Sequence, residues 1–403
     1  MSLAAGEAGV DASVSHQRIS GFGASSAWTL PAASDELADR FFSVENGIGL
    51  SLLRVRITPN GTTDELVTAQ KAVARGASVW AAPWSPPGAW KTGTDPQNPL
   101  WGGSLLPEHR KPWAERLAKF VVDMRDAGVP LLALSAQNEP NWTDRWETCR
   151  WTPRELTDFV RDELGPALAN AGVSTPILAP ETNDWSSVAS FANPLLQDAN
   201  VLPLLGPIAT HAYGNAPPYE FKTPAQYGKE LWETEVSFDP PTPDPGIDAA
   251  LNVAEMIHDH LTIARVSAWH YWWLMPVSAS TGSGALTQNG ELTKRAYVLG
   301  QYSRFVRPGF VRVKATAEPQ RQVKLTAFSE VGSQGLVLVA LNTSSEDKTQ
   351  VFVLANATSP TFTPYTTSAS LALAAGEPVT ASAGKLTVVL PARSVTTFVG
   401  KFE

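Results

Sequence analysis

Residues 112–140, PWAERLAKFVVDMRDAGVPLLALSAQNEP, contain one complete unit of the fold. Apolar residues in the first half recur at the spacing of an amphipathic helix, and Gly128 follows where a helix commonly ends. An apolar run then leads to Gln137-Asn138-Glu139 and to Pro140, which stops a strand. The stretch therefore predicts a helix over 112–127, a strand over 131–137 and an acidic residue at the carboxyl end of that strand.

The same helix-then-strand unit recurs along the chain. Residues 64–75 predict a helix closed by Gly76, and residues 154–171 predict one closed by Gly172. Eight strands are predicted in total, at 21–28, 50–57, 77–83, 131–137, 176–179, 208–213, 230–236 and 266–274. Strands that alternate with helices form a parallel sheet, and eight of them close a (β/α)8 TIM barrel.

The pattern changes after about residue 306. Short alternating strands follow without helical periodicity between them, at 311–317, 323–329, 335–342, 349–354 and 386–390. This texture is typical of a β-sandwich, and residues 10–19 share it before the barrel begins. The sequence thus predicts an α/β protein with a catalytic barrel over 21–306 and a β-sandwich side domain formed by 1–20 together with 307–403.

Composition excludes several functional classes. The 403 residues are 43% apolar and 17% charged, with a formal net charge of −8. These values argue against disorder and against a partner such as nucleic acid or an anionic membrane. Cys149 is the single cysteine, no apolar run is long enough to span a membrane, and residues 1–10 lack the features of a signal peptide. The fourteen tryptophans suggest stacking on sugar rings.

Two glutamates end predicted barrel strands. Glu139 ends the fourth strand and Glu235 the seventh. TIM barrels build their active sites at these ends, and glycoside hydrolysis needs two carboxylates, one to protonate the leaving oxygen and one to attack the anomeric carbon. Glu233 competes with Glu235, because residues two apart in a strand point the same way. Glu181, at the end of the fifth strand, is expected either to orient a catalytic group or to form structural hydrogen bonds.

Several motifs occur in the order and spacing of glycoside hydrolase family 30, which the chain resembles over nearly its whole length. They are GFG at 21–23, SSAW at 25–28, APWSPP at 82–87, QNEP at 137–140, HAYG at 211–214, LWETE at 231–235 and YWW at 271–273. Three later stretches, at 294–297, 304–309 and 391–399, resemble the bacterial xylanase branch in particular. The resemblance implies a (β/α)8 barrel with an attached β-sandwich and a retaining mechanism.

The resemblance also implies roles for individual residues. Glu139 matches the general acid/base and Glu235 the nucleophile, so Glu139 is expected to titrate above Glu235. The predicted substrate-binding residues are Trp28, Trp84, Asn138, Trp142, Tyr213, Trp272 and Trp273. No cofactor is implied. A metal site is not expected either, because His258 and His260 lie two apart on a predicted helix and cannot share a face.

One departure from the family concerns substrate specificity. Glucuronoxylan-specific members carry arginines just after the eighth-strand tryptophan pair, where they bind the acidic branch, whereas no arginine occurs between Arg265 and Arg295 here. We therefore expect an endo-acting β-1,4-xylanase without strict dependence on glucuronate branches. The alternatives are an enzyme for β-1,6-galactan or β-1,6-glucan and a catalytically silent glycan-binding protein. A polysaccharide partner, a monomeric state and secretion are expected from this substrate class.

Overall fold

Eight parallel strands close into a barrel. The computed structural model describes residues 3–238, 244–275, 284–332, 335–355 and 360–401. After β1 (Glu7–Arg18), the barrel strands are β2 (Gly21–Ser25), β3 (Leu52–Ile57), β4 (Ser78–Pro83), β7 (Leu131–Ser135), β8 (Ile177–Thr182), β9 (Leu205–His211), β10 (Leu231–Glu235) and β11 (Ala268–Trp273). They pair in chain order, and β11 returns to β2 to complete the ring. Every residue of β3 is buried, as expected for a strand covered on both faces.

Helices connect successive barrel strands, and one more helix follows the eighth strand. They are α1 (Asp35–Phe42), α2 (Leu66–Val73), α3 (Arg110–Asp126), α4 (Pro153–Phe159), α5 (Gly165–Asn170), α6 (Val188–Gln197), α7 (Thr223–Gln226), α8 (Ile247–Asp259) and α9 (Lys294–Ser303). The glycines predicted to end three helices, Gly76, Gly128 and Gly172, have φ values of 83°, 83° and 69°. This left-handed conformation suits glycine at the end of a helix.

The helix predicted over 154–171 is interrupted. A π-turn, Val160–Leu164, separates α4 from α5, and Pro166 follows within the first turn of α5. Proline has no N–H group to donate and its ring crowds the preceding turn, so the regular hydrogen-bond pattern cannot continue through this position. The amino-terminal end of α4 is fixed by a capping box between Thr152 and Glu155.

A hairpin that the sequence analysis did not predict follows β4. Its strands are β5 (Lys91–Asp95) and β6 (Asn98–Leu105). The Thr148 N–H donates to the Leu100 carbonyl at 3.1 Å, and the Arg150 N–H donates to the Gly103 carbonyl at 2.8 Å. The hairpin therefore braces residues 140–150, the connection that follows the end of β7.

A second sheet lies beside the barrel. Its remaining strands are β14 (Val311–Ala315), β15 (Val323–Ser329), β16 (Gly335–Asn342), β17 (Lys348–Leu354), β18 (Thr361–Thr367), β19 (Ala374–Ala375), β20 (Val379–Thr380), β21 (Lys385–Leu390) and β22 (Ser394–Lys401), while β12 (Thr287–Gln288) and β13 (Glu291–Leu292) form a separate small hairpin. The sheet order is β19-β18-β22-β16-β15-β14-β1-β17-β21, with β20 beside β18. β1 pairs antiparallel with β14 and parallel with β17, so the amino-terminal strand lies inside a sheet built from the end of the chain.

The second sheet packs on the barrel and also encloses a core of its own. On β16, Val337, Val339 and Leu341 join the large core shared with the barrel, whereas Leu336 and Leu338 join a separate core within the side domain. The alternation follows from the two-residue period of a strand with both faces covered. The predicted fold class, a TIM barrel with an attached β side domain, is confirmed. None of the described helices is long and apolar enough to cross a membrane.

Candidate active site

The two predicted catalytic glutamates lie together at the barrel mouth. Glu139 follows β7 and Glu235 ends β10, and both are almost completely buried. One carboxylate oxygen of Glu139, one of Glu235 and a ring nitrogen of His211 all lie within 4.8 Å of one another. The barrel thus brings into contact distance two residues that are almost a hundred positions apart in the chain.

Glu139 is held by two side chains from neighbouring strand ends. Its Oε1 accepts hydrogen bonds from Asn183 Nδ2 at 2.7 Å and from His211 Nδ1 at 3.0 Å. The Asn183 N–H donates to Asn141 Oδ1 at 2.9 Å, which ties the two strand-end loops together. The backbone of Glu139 has a φ of 47°, a left-handed conformation that is uncommon for residues other than glycine and that often occurs at functional sites.

Glu235 is held by a different set of donors. The Tyr213 hydroxyl donates to its Oε1 at 2.9 Å, and the guanidinium of Arg54 donates to its Oε2. Burial raises the pKa of Tyr213, so the phenol keeps the proton that it donates. Burial also raises the pKa of Glu235, against the expectation for a nucleophile, whereas the charges of His211 and Arg54 act in the opposite direction.

Arg54 was not predicted as a site residue, yet it lies beneath the whole cluster. It projects from β3, is fully buried, and also donates to Asn138 Oδ1 and Glu181. Its guanidinium lies 4.3 Å from the Trp84 ring centroid, a cation–π contact. Two arginines, Arg54 and Arg56, within the otherwise apolar run of β3 were the sequence signal for it, because a buried charge requires partners.

Glu181 and His211 complete the buried network. Glu181, with a left-handed φ of 61°, accepts from Ser135 Oγ and lies 3.3 Å from His211 Nε2. Burial would raise the pKa of Glu181, but Arg54 and His211 outweigh it and lower that pKa. Burial would lower the pKa of His211, but the charges of Glu235, Glu139 and Glu181 raise it to about 10. His211 is therefore an imidazolium at neutral pH, bonded to a carboxylate through each ring nitrogen.

Glu233 lies in a different environment. It is fully buried, and its Oε2 accepts the backbone N–H of His270 at 3.0 Å. Burial raises the pKa of Glu233 to about 8, so it is mainly protonated at neutral pH. The geometry thus groups Glu235, and not Glu233, with Glu139.

Three of the predicted tryptophans form one aromatic wall. The ring centroids of Trp28 and Trp84 are 5.2 Å apart, and Trp272 lies 6.1 Å from Trp28 and 6.0 Å from Trp84. Trp273 stacks on Trp272 at 5.3 Å and donates its indole N–H to the Ala27 carbonyl at 2.6 Å. Trp273 therefore supports the wall that the other three rings form.

Glu65 fixes the backbone of this wall and was not predicted. Trp28 has a left-handed φ of 56°, and its N–H donates to Glu65 Oε1 at 3.2 Å. The other oxygen of Glu65 accepts the Arg56 N–H at 2.7 Å. Burial raises the pKa of Glu65 to about 8. A carboxyl group in the connection after β3 thus holds an aromatic residue that follows β2.

The predicted residue Trp142 lies apart from the aromatic wall, on the connection over 140–150. Its N–H donates to the Glu139 carbonyl at 3.0 Å, and its side chain is 44% exposed. Trp146, on the same connection, is 42% exposed and was not predicted. The connection that follows Glu139 thus exposes two indole rings, which have an apolar face that can stack on a sugar.

The donor atoms at the mouth do not suit a metal ion. Among the described residues, Glu139, His211 and Glu235 form the one group whose ligand atoms are close enough to hold a metal. A histidine must be neutral to bind a metal. His211 is instead protonated, and both of its ring nitrogens are bonded to carboxylates. Arg54 adds a second positive charge against Glu235. These three side chains are thus held together by hydrogen bonds and ion pairs that occupy the atoms a metal would need.

The loop in which the arginines are missing lies largely outside the described residues. The sequence difference falls on 274–284, of which 276–283 are not described.

A (β/α)8 barrel that carries two close carboxylates and an aromatic wall at the carboxyl ends of its strands is typical of barrel glycoside hydrolases. Comparison with known proteins agrees. Residues 63–227 match the model of the glycosyl hydrolase family 30 TIM-barrel domain. The chain is 33% identical to the glucuronoxylanase XynC of Bacillus subtilis (strain 168), over 98% of this chain and 92% of the relative.

Two solved structures are similar over the same extent. A subfamily 8 xylanase of this family, from Clostridium acetobutylicum, superposes with a TM-score of 0.87 at 34% identity, covering 98% of this chain and 100% of that chain. An endoxylanase from Clostridium papyrosolvens gives 0.85 and 33% with the same coverage. The chain belongs to glycosyl hydrolase family 30, and it is a glycoside hydrolase whose similar relatives include xylanases.

Proposed function

We propose that this protein is a retaining, endo-acting hydrolase of β-1,4-xylan that does not strictly depend on glucuronate branches. The observation that carries the mechanism is the separation of at most 4.8 Å between carboxylate oxygens of Glu139 and Glu235. Retaining enzymes place their two carboxyl groups about 5 to 5.5 Å apart, whereas inverting enzymes need about 6.5 to 9.5 Å to admit a water molecule. The short separation favours direct attack by one carboxylate.

The proposed reaction has two steps. In the first, Glu235 attacks the anomeric carbon while Glu139 gives its proton to the glycosidic oxygen, which breaks the bond and leaves a glycosyl ester on Glu235. In the second, Glu139 takes a proton from water, and the oxygen of that water displaces Glu235 from the same carbon. Two inversions restore the original configuration.

The other residues of the site support this division of roles. Tyr213 and Arg54 donate to Glu235, which holds the carboxylate oxygens in place and stabilises the negative charge when the ester breaks. Asn138, whose Nδ2 has no partner within the described protein, is proposed to donate to the 2-hydroxyl of the sugar. Trp28, Trp84 and Trp272 are proposed to form the wall of the subsite where the bond breaks.

Endo action is supported by the connection over 140–150. The acid must face the leaving group, and the connection that follows Glu139 in the chain exposes the rings of Trp142 and Trp146. Aromatic rings on this side can stack on sugars of the leaving portion of a chain, which a hydrolase acting on short glycosides does not need.

Activity on a substrate panel tests the proposal. Reducing-sugar release should be measured on linear xylan, arabinoxylan, glucuronoxylan, β-1,6-galactan and β-1,6-glucan, with the anomeric form of the first product followed by NMR. We expect β-configured products from all three xylans. The relatives include an endo-1,6-β-D-glucanase from Neurospora crassa, 24% identical over 81% of this chain and 69% of that protein. Reducing-sugar release from β-1,6-glucan alone would show that this glucan, and not xylan, is the substrate. No reducing-sugar release from any polymer would indicate a catalytically silent glycan-binding protein.

A further inference from the structure

A cavity of about 780 Å³ lies between the side domain and the barrel, away from the candidate active site. Its walls come from residues 15–18 of β1, from residues 220–231, mostly the connection that leads into β10, and from residues 264–267 before β11. Because Glu235 lies at the carboxyl end of β10, a cavity at the amino-terminal end of the same strand is on the opposite side of the barrel. We call it the basic junction cavity.

The charge of the basic junction cavity is positive, although the chain as a whole has a net charge of −8. Its lining includes four cationic side chains, those of Arg18, Lys222, Lys229 and Arg265, and two carboxylates. One carboxylate, Glu220, is shared by Arg265 at 3.0 Å and Lys222 at 3.3 Å.

The second carboxylate already has partners from the barrel wall. Glu230 accepts from Ser20 Oγ at 2.6 Å and from Trp232 Nε1 at 2.7 Å. Arg18 is exposed, and within the described part of the chain no carboxylate pairs with it. The cavity therefore keeps an excess of positive charge that its own residues do not neutralise.

A further arginine lies behind this lining. Arg312 is only 6% exposed, and its Nε donates at 2.9 Å to Oε1 of Gln17, which lines the cavity. Burial, and then the charge of Arg265, lowers the pKa of Arg312 to about 10. No carboxylate among the described residues forms an ion pair with Arg312. Positive charges that repel one another where burial reduces solvation favour the binding of an anion.

The uncharged lining suits a sugar. Phe221, Pro224 and Leu231 supply apolar surface, while Gln226 and Ser267 supply groups that can hydrogen-bond to hydroxyls. A pyranose has an apolar face and a rim of hydroxyls, and a guanidinium matches a carboxylate by its forked geometry. A cavity of this volume is also within the range of small-molecule sites.

We propose that the basic junction cavity binds a carboxylate-bearing glycan, namely a uronic acid branch of an acidic polysaccharide, independently of the catalytic cleft. The identity of the polysaccharide rests on the proposed function, whereas the affinity for a sugar acid does not. Such a site would hold a glucuronate-substituted chain on the enzyme even though the catalytic cleft lacks the arginines that bind the branch in related enzymes.

Calorimetry with an inactive protein tests the proposal. The Glu235→Gln protein is titrated with xylotriose carrying one 4-O-methylglucuronate and with unsubstituted xylotetraose. The acidic oligosaccharide should show one binding event more than the neutral one. Arg18→Ala together with Lys222→Ala should weaken that additional event by about tenfold or more, since hydrogen bonds between charged groups are stronger than those between neutral groups. Added salt should weaken it further.

The matched control removes two cations elsewhere. Arg125→Ala together with Arg154→Ala takes the same charge from exposed positions on α3 and α4 and should leave the additional event unchanged. The proposal is overturned if the acidic oligosaccharide binds no more sites than the neutral one, if both double variants weaken it equally, or if inorganic phosphate competes as tightly as the sugar acid. Hydrolysis of linear xylan by each double variant of the otherwise wild-type enzyme is a separate measurement, so the failure of the proposed function is recognised independently.

Discussion

The candidate active site balances buried charges against one another. Two cations, Arg54 and His211, face three carboxylates, those of Glu139, Glu181 and Glu235. The two cations and three carboxylates leave one negative charge, which one added proton neutralises. A retaining enzyme binds its substrate in that singly protonated state. At the scale of single residues, the cluster is therefore suited to moving a proton while the remaining charges stay fixed.

The roles of the two glutamates lead to different behaviour of their variants. Glu235→Gln should lower kcat at least about a thousandfold on every substrate, because no nucleophile remains. Glu139→Gln should lose polymer activity to a similar extent but keep most of the first-step rate on an aryl xyloside with a good leaving group, which needs no proton. Burst kinetics on dinitrophenyl xyloside measure that rate. Equal loss for both variants would contradict the assignment.

His211 makes stability depend on pH. Its pKa in the folded protein is about 10, above the ordinary value of 6.5. The stabilisation is complete below about pH 6.5 and is lost as the pH rises through about 10, so Tm should fall between pH 7 and pH 10. Glu181→Gln removes one carboxylate from this network and should lower stability at pH 7 by about 3 to 5 kcal/mol while flattening the slope.

The control for this prediction is Ser135→Ala, which removes a neutral donor to Glu181 and leaves all charges in place. It should lower stability by about 1.5 to 3 kcal/mol, as expected for a hydrogen bond to a charged group, and keep the slope. Thermal melts across the pH range measure both quantities. A slope in the Glu181→Gln variant as steep as in the wild type would show that the carboxylate does not set the pKa of His211.

At the scale of elements, the connection over 140–150, which follows the acid Glu139, is held in place by side chains from other elements. Lys91 at the start of the hairpin donates to the Ser85 hydroxyl at 2.9 Å and to the Thr148 carbonyl at 2.7 Å. Arg56 of β3 binds Glu147 through two hydrogen bonds and lies 4.9 Å from the Trp28 ring centroid. The connection is thus attached both to the hairpin and to the aromatic wall.

This arrangement predicts how the exposed rings contribute. Trp142→Ala and Trp146→Ala should each raise KM for long xylo-oligosaccharides about fivefold, because a stacked ring contributes about 1 kcal/mol. Neither variant should change kcat/KM for an aryl xyloside, which is too short to extend along the connection over 140–150. Tyr227→Ala, at an exposed aromatic residue beyond α7, is the matched control and should change neither value. A uniform loss on both substrates would instead indicate damage to Glu139.

At the scale of the whole molecule, β1 joins the two ends of the chain. It lies between β14 and β17, and both faces of β16 in the same sheet are buried. Deletion of residues 1–18 would expose the edges of β14 and β17 and remove Ala8 and Val10 from the side-domain core. We expect the shortened protein to be insoluble or to melt at least 10 °C lower.

Deletion of residues 1–5, before β1 begins, is the control and should leave the melting temperature within about 2 °C of the full chain. Calorimetry should show a single transition for the full chain, because β16 shares one core with the barrel and one with the side domain. Two well-separated transitions would mean that the two parts fold independently.

Specificity for the glucuronate branch is also a property of the whole molecule. No arginine occurs between Arg265 and Arg295, so no guanidinium ion pair to the acidic branch is expected from that segment. Linear xylan should be cut about as fast as glucuronoxylan, with product lengths that do not follow the branch positions. Mass spectrometry of glucuronoxylan digests measures this. Products that all carry one glucuronate at a fixed distance from the reducing end would contradict it.

The sequence by itself determined the fold class and the two strands whose carboxyl ends lead to Glu139 and Glu235. Hydrophobic periodicity and helix-ending glycines are local signals, and they place residues 131–135 and 231–235 in strands without reference to any distant contact. The hairpin over 91–105 escaped prediction because its glycines, threonines and polar residues carry no strong apolar alternation, and its pairing with residues 147–150 is a tertiary contact.

The tertiary structure alone decided which side chains meet. Arg54, Glu181 and His211 lie on different strands, and nothing local in the sequence states that closing the barrel places them against Glu139 and Glu235. Closing the barrel also decides between Glu233 and Glu235, because Glu233 accepts the backbone N–H of His270 whereas Glu235 accepts the hydroxyl of Tyr213 and lies close to Glu139. Local periodicity specifies the helices and strands. The distances between the charged side chains, and therefore the charge and protonation of the site, are set only when the strands close into a ring.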